Sequence, residues 1–236
     1  MRFLAPVLAS LVAVAAVPAA AQEIVYEVTE EVVYVDVGGE RFVTVEPAPV
    51  PKGIASYGPF RVLDSGRAAL VDATDARSPA AFAAMLRDYP GIAMLEMIEC
   101  PGTDDDRANL RVGRMIRDHG IATHVPAGGS VRSGAVELFL AGMRRAADDG
   151  AEFAVHSWVD DLGREPSDFA ANAPENRTYL DYYQRMGMSA REAAAFYAMT
   201  NSVPHEQAKW LSAAEMRRWL PLEGAAQRVD LALALP

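Results

Sequence analysis

Hydrophobic and polar positions along this 236-residue chain fall into two regimes. From Glu23 to Glu46, β-branched and aromatic residues alternate with polar ones ("IVYEVTEEVVYVDVGGERFVTVE"), and Gly38-Gly39 marks a turn. A period of two with a glycine turn predicts a β-hairpin. "EPAPVPKG", Glu46 to Gly53, is proline-rich and reads as a linker. Beyond it short apolar runs alternate with helical stretches. Ala68 to Val71 predicts a strand. Ser78-Pro79 opens a helix through Asp88, with Ser78 as N-cap. "IAMLEMI", Ile92 to Ile98, is a second strand, followed by a helix from Asp104–Asp106 to about His119 that Gly120 stops. "IATHV" is a third strand, Ser133 to Met143 an apolar helix, and "EFAVH" a fourth strand. Strands and helices alternating at this spacing predict an α/β fold of repeated β-α units around a largely parallel sheet, with the N-terminal β-hairpin arm appended. Farther on, Val159 to Pro174 is polar and turn-rich and reads as a flap. Tyr179 to Met186 and Ala190 to Met199 read as amphipathic helices whose aromatics, Tyr182, Tyr183, Phe196 and Tyr197, are read as core in preference to a substrate platform.

The first residues are set apart from this pattern. Arg2, the apolar run Leu4 to Val17 and the small residues Ala19-Ala20-Ala21 have the form of a secretory signal cleaved after Ala21. The chain then divides into a signal at 1–21, the arm and linker at 22–52, the main domain at 53–222 and a tail at 223–236. The expected location is periplasmic or secreted, with no stable membrane insertion once the signal is removed. The formal net charge is −10, and loss of Arg2 makes it more negative. Such a chain is a poor match for nucleic acid, whose phosphates demand a basic surface. Cys100 is the single cysteine, so no internal disulfide forms, and a lone thiol in an oxidising compartment is best buried.

Right-handed crossovers carry the strands' C-terminal ends to one edge, where open α/β folds place their sites. Three segments arrive there: "ECPGT", "PAGGSVRSG" and "HSW". Ser133 begins an apolar helix and is followed by Gly134, whose N–H can reach an oxyanion unobstructed. Ser133 is either a helix N-cap or a nucleophile. Ser130, three residues earlier, is the competing serine and reads as an ordinary turn residue. His156 ends a strand at the same edge and can serve Ser133 as general base. His119, His124 and His205 are weaker candidates. Gly102 in the "CPGT" turn is either part of a plain strand-to-helix turn or a second oxyanion donor. The four histidines and one cysteine lack metal-ligand spacing, so neither a metal nor a cofactor is expected.

The ordered set "IECPGTDDDRANLRVGRMI", "GGSVRSGAVELFLAG", "AEFAVHSW" and "WLSAAEMRRW" resembles the ClpP/crotonase superfamily, in its exported ClpP-like serine-hydrolase branch, from about Phe60 to Leu222. The resemblance implies an oxyanion turn at Gly102, a nucleophile at Ser133 and a catalytic histidine at His156, at the family's serine-to-histidine spacing. Two departures stand out. Thr103 replaces the second glycine of the family's turn. The family's acid precedes a helix matched here by "WLSAAEM", and the position at strict spacing is Ala208; Glu206 is the nearest carboxylate and is assigned to orient His156, with Asp160 and Asp161 as further candidates.

The leading expectation is an exported serine peptidase working by acyl transfer, with Gly102 and Gly134 as oxyanion donors. Its substrates would be peptides or flexible protein segments. An exported compartment lacks ATP, so no ATPase partner is expected. The arm, marginal alone, and the resemblance together point to a homo-oligomer. Two alternatives stand beside this: a fold relative that binds a peptide or partner without turnover, and crotonase-type chemistry on acyl thioesters.

Overall fold

The computed structural model describes residues 45–222. The expected signal, most of the hairpin arm and the tail lie outside the described residues. The described part is α/β, with six α-helices and ten strands in two sheets. β1 (Ala55–Tyr57), β2 (Phe60–Val62), β3 (Arg67–Leu70), β4 (Met94–Met97), β6 (Ala122–Val125) and β8 (Arg145–Ala147) form the first sheet, in the order β1-β2-β3-β4-β6-β8. β3, β4, β6 and β8 are parallel, and β1 and β2 add an antiparallel edge. The second sheet has the order β10-β9-β7-β5, from β5 (Glu99–Cys100), β7 (Ser130–Arg132), β9 (Glu152–Val155) and β10 (Lys209–Ser212). There β5, β7 and β9 are parallel and β10 is antiparallel.

The repeating unit is therefore strand–strand–helix rather than the strand–helix expected. β4 runs through Ile98 into β5, β6 through a glycine turn into β7, and β8 into β9. Each pair feeds both sheets before the chain turns into a helix. The second strands hold two to four residues, too few for a period of two to register. Ser130, read as a turn residue, is the first residue of β7; it is buried and accepts a hydrogen bond from Arg132 Nη1 at 2.8 Å.

The helices at Ser78 and Asp106 follow the expected boundaries with local corrections, whereas the one expected from Tyr179 starts five residues earlier, at Pro174, the last residue of the stretch read as a flap. α1 spans Ser78–Asp88, but Arg77 is its N-cap and Ser78 the first helical residue. The Ser78 hydroxyl binds Asp75 instead, donating to Oδ1 at 2.9 Å and accepting from the backbone N–H at 2.8 Å. α2 is Asp106–Asp118, capped by Asp105, which accepts from the Ala108 N–H. Gly120 follows at φ +69°, the left-handed geometry that ends a helix cheaply only with glycine. α3 is Ala135–Ala141, starting two residues later than expected because Ser130–Arg132 is strand. α4 is Pro174–Arg185, α5 Ala190–Thr200 and α6 Ala213–Trp219. Ser189 with Glu192 and Ser212 with Glu215 form capping boxes that satisfy the first N–H groups of α5 and α6.

Every residue of α3 is buried. A helix apolar almost all round belongs inside a domain; each of Leu138, Phe139 and Leu140 contributes about 1.5–3 kcal/mol by leaving water. Phe139 meets Phe153 of β9 at 5.0 Å between centroids, which ties the helix to the second sheet. Cys100 is also buried, its thiol against the Leu70 carbonyl, and burial pushes its pKa up. Residues 46–53 do not hang free: the Ala48 N–H bonds the Gly128 carbonyl at 2.9 Å.

At the first sheet, His124 on β6 lies between two carboxylates. Its Nδ1 is 2.5 Å from Glu96 Oε2 and its Nε2 3.2 Å from Asp148 Oδ1. Burial opposes charge on the ring and is the largest single effect, yet Glu96 and Asp148 together outweigh it and raise the pKa. A raised folded-state pKa adds stability below the unfolded value of about 6.5, lost as pH rises through the folded value. His124→Gln should therefore lower the urea midpoint more at about pH 6 than at about pH 9. An equal loss at both would show that the imidazolium adds nothing.

Candidate active site

The second sheet assembles the site through its strand order and register. β7 lies between β5 and β9, so the residue following β7 is flanked by the ends of both neighbours. Cys100 pairs with Val131, and Val131 with Phe153. Two residues onward, Gly102, Ser133 and Val155 come level, with His156 next. Segments far apart in sequence thus meet at one sheet edge, as expected from the strand ends.

Ser133 joins β7 to α3 with φ +48°, alone among the described non-glycine residues in having positive φ. That region crowds Cβ against backbone and costs about 1–2 kcal/mol. Both of its backbone groups hold it there. Its N–H donates to the Ala154 carbonyl at 2.8 Å, continuing the β7–β9 ladder, and its carbonyl accepts from Val136 N–H at 2.9 Å, opening α3. The left-handed kink converts strand to helix in one residue and turns the side chain out of both. Gly102, at φ +139°, passes so close that an added Cβ would lie 3.0 Å from Ser133 Cβ and 3.4 Å from Oγ. The structure thus brings Gly102, Ser133 and Gly134 together.

A buried amide fixes the turn after the serine. Asn109 Nδ2 donates to the Gly134 carbonyl at 2.6 Å, and its Oδ1 accepts from the Thr74 hydroxyl at 2.8 Å. Thr74 N–H in turn donates to the Gly102 carbonyl at 3.1 Å. One polar chain therefore sets the positions of both glycines. Thr103 packs its methyl against Gly134, while its hydroxyl engages Thr74 and Asp105. Its methyl narrows the approach without its hydroxyl facing the serine.

His156 shares with Ser133 the lining of a cavity of about 550 Å³. Its Nδ1 donates to the Ser157 carbonyl at 2.8 Å, which leaves Nε2 unprotonated. His205 Nδ1 donates to the same carbonyl at 3.0 Å, and the two rings meet edge-to-face at 4.6 Å. Burial first, and then His205, lower the His156 pKa. The ring is consequently neutral at neutral pH and a weaker base than an ordinary imidazole. No hydrogen bond joins it to Ser133 Oγ among the described residues.

Glu206 is not brought to this place. It is exposed, does not line the cavity, and the residue beside it, His205, turns inward instead. The Ser157 carbonyl occupies the hydrogen-bonding position that a triad acid would take. Asp160 and Asp161 border the cavity, and Asp160 is held by Arg164 at 2.7 Å. Of the further carboxyls on its wall, two have raised pKa values that sequence reasoning did not anticipate. Asp106 begins α2; it is solvent-accessible yet crowded by protein, and desolvation raises its pKa. Glu137 on α3 is 7% exposed, accepts from the Tyr183 hydroxyl at 2.7 Å and is pushed up to about 7 by burial. A lone carboxylate in the otherwise apolar "AVELFLA" was its signal. Trp158 and Tyr179, stacked at 6.1 Å and 8°, and Tyr197 complete the wall. Tyr182, Tyr183 and Phe196 are buried in the core as expected. Among the described residues no three His, Cys, Asp or Glu side chains converge to hold a metal ion.

No protein-family model matches the chain, and no curated protein matches it. Solved structures similar to it include a mutant of the 1510-N membrane-bound stomatin-specific protease in complex with a substrate peptide. That match has TM-score 0.44 and 13% identity, covering 67% of this chain and 74% of that one. A ClpP1 mutant from Listeria monocytogenes matches at TM-score 0.47 and 14% identity, covering 68% and 91%. An enoyl-CoA hydratase from Shewanella pealeana matches at TM-score 0.45 and 13% identity, covering 71% and 68%.

Two stability measurements check this geometry. Ser133→Gly should be more stable than Ser133→Ala by about 1 kcal/mol in urea unfolding, because only glycine adopts the left-handed backbone freely; the reverse order would remove the strain. Asn109→Ala should cost about 1–3 kcal/mol, since it strands the Gly134 carbonyl and the Thr74 hydroxyl. A loss within error of zero would show that water replaces the amide.

Proposed function

We propose that the protein is a serine hydrolase acting by acyl transfer on peptides or flexible protein segments. The observation that carries this reading is Ser133: a serine held in a left-handed turn, against Gly102, at the edge of a cavity that His156 also lines. In the proposed reaction Ser133 Oγ attacks the scissile carbonyl carbon, and His156 Nε2 takes the hydroxyl proton. The N–H groups of Gly134 and Gly102 take up the oxyanion. His156 returns the proton to the leaving amine. Water then enters and attacks the acyl carbon while giving a proton to the same nitrogen; the bond to Ser133 Oγ breaks as His156 returns that proton to Oγ, releasing the acid and restoring the site. The Ser157 carbonyl orients the ring in place of a carboxylate, which favours the neutral imidazole that accepts the first proton but stabilises the imidazolium less. Turnover is accordingly slower than in a full triad.

Export, with cleavage after Ala21, and assembly of a homo-oligomer without an ATPase belong to the same proposal and rest on the sequence. Acyl-thioester chemistry is a second reading, favoured by Glu137: a carboxyl with a pKa of about 7 on the cavity wall is suited to moving a proton beside a polarised carbonyl.

A fluorophosphonate probe separates these readings. Wild-type protein should be labelled. Ser133→Ala should abolish labelling, and His156→Ala should slow it by several orders of magnitude. Glu206→Gln and Ser130→Ala should leave it unchanged. A folded wild type that resists labelling would reject the hydrolase.

A further inference from the structure

The cavity beside Ser133 is lined with carboxyls far beyond the needs of acyl transfer. Asp104, Asp106, Glu137, Asp161 and Glu175 border it, with Arg107 as the sole lysine or arginine. Glu137 is the informative member. A carboxyl is rarely kept 93% buried unless something compensates it. Here the carboxyl is engaged by the Tyr183 hydroxyl at Oε1 and by a backbone N–H, and no lysine or arginine pairs with it among the described residues. It nevertheless faces the cavity. Beside it, Trp158, Tyr179 and Tyr197 form a continuous aromatic wall. Its polar tips are spoken for: Trp158 Nε1 donates to the Tyr197 hydroxyl at 2.7 Å, which donates to Asn176 Oδ1 at 2.6 Å. The hydrogen bonds hold the rings rigid, and a ring face attracts cations.

We propose that this cavity is a subsite for a cationic side chain, so that the preferred substrate is a peptide with lysine or arginine next to the scissile bond. The proposal deepens the hydrolase reading and rests on it for the position of that bond, while binding of the cation can be measured without turnover. The dimensions agree. Glu137 is the third residue of α3, which begins two residues after Ser133, and both residues line the same cavity. A volume of about 550 Å³ lies within the roughly 300–1,000 Å³ of small-ligand sites. The bound ammonium or guanidinium would supply the counter-charge that Glu137 lacks and meet Asp106, which Tyr179 already orients, with its aliphatic stem along Trp158 and Tyr179.

Isothermal titration calorimetry with Nα-acetyl-lysine methylamide, the arginine counterpart and the isosteric norleucine derivative tests this. Full-length protein should bind both cations at least about tenfold more tightly than norleucine. In Glu137→Gln with Asp106→Asn the preference should disappear, and Glu137→Gln alone, which keeps an acceptor for Tyr183, should show part of the loss with its thermal unfolding unchanged. Equal binding of lysine and norleucine derivatives, binding of none, or a preference that survives the double substitution would overturn the proposal. Cadaverine bound more tightly than the lysine derivative would overturn the peptide assignment in favour of a free amine. Fluorophosphonate labelling of the same preparation keeps the two readings apart. Labelling without a cation preference removes the subsite alone. A cation preference without labelling keeps the subsite and removes the hydrolase.

Discussion

The left-handed backbone of Ser133 is the constraint on which the site depends. A strand cannot become a helix within one residue without a φ reversal, and here the reversal falls on a residue with a Cβ. Its cost is met by what surrounds it: a ladder bond to β9 on one side, the first turn of a fully buried helix on the other, and Gly102 with no side chain to collide with. Relaxing the turn would pull Phe139 of α3 away from Phe153 of β9, so core packing holds the strain in place.

The same economy governs the polar groups behind the turn. Asn109 and Thr74 are buried, and each satisfies partners on different elements, so the two glycine segments move together or not at all. Buried amides carry a large penalty when unpaired, which makes this chain rigid. On the other side, Ser157 is pinned by Val203, and its carbonyl receives both His156 and His205. Ser133 and His156 are thus positioned by independent networks from opposite neighbours of β7. The cavity between them is closed by α4 and α5, whose aromatics serve the core on one face and the cavity on the other.

That the ring partner is a backbone carbonyl has a chemical consequence. A carbonyl fixes the tautomer and aims Nε2, but it carries no negative charge to offset a developing imidazolium. Burial and His205 lower the His156 pKa further. In the proposed reaction such a ring would accept a proton reluctantly yet stay unprotonated at lower pH than an ordinary histidine.

Much of this was legible along the chain. The helix boundaries followed from caps, proline and glycine, because those signals are local. The convergence of Gly102, Ser133 and His156 followed from strand ends meeting at one edge. The short strands Glu99–Cys100, Ser130–Arg132 and Arg145–Ala147 were not legible, since two or three residues carry no periodicity. Glu206 was chosen for its position along the chain, but a loop can present either of two adjacent residues, and packing turned His205 inward. Glu137 and Asp106 acquire their character only from burial and from the walls that Trp158 and Tyr179 bring to them. By itself the sequence determined the elements and the edge at which the chemistry gathers, because propensity and topology act through neighbours. Tertiary structure alone decided which groups face the cavity and which proton each holds, because desolvation and long-range pairing depend on residues far apart in the chain.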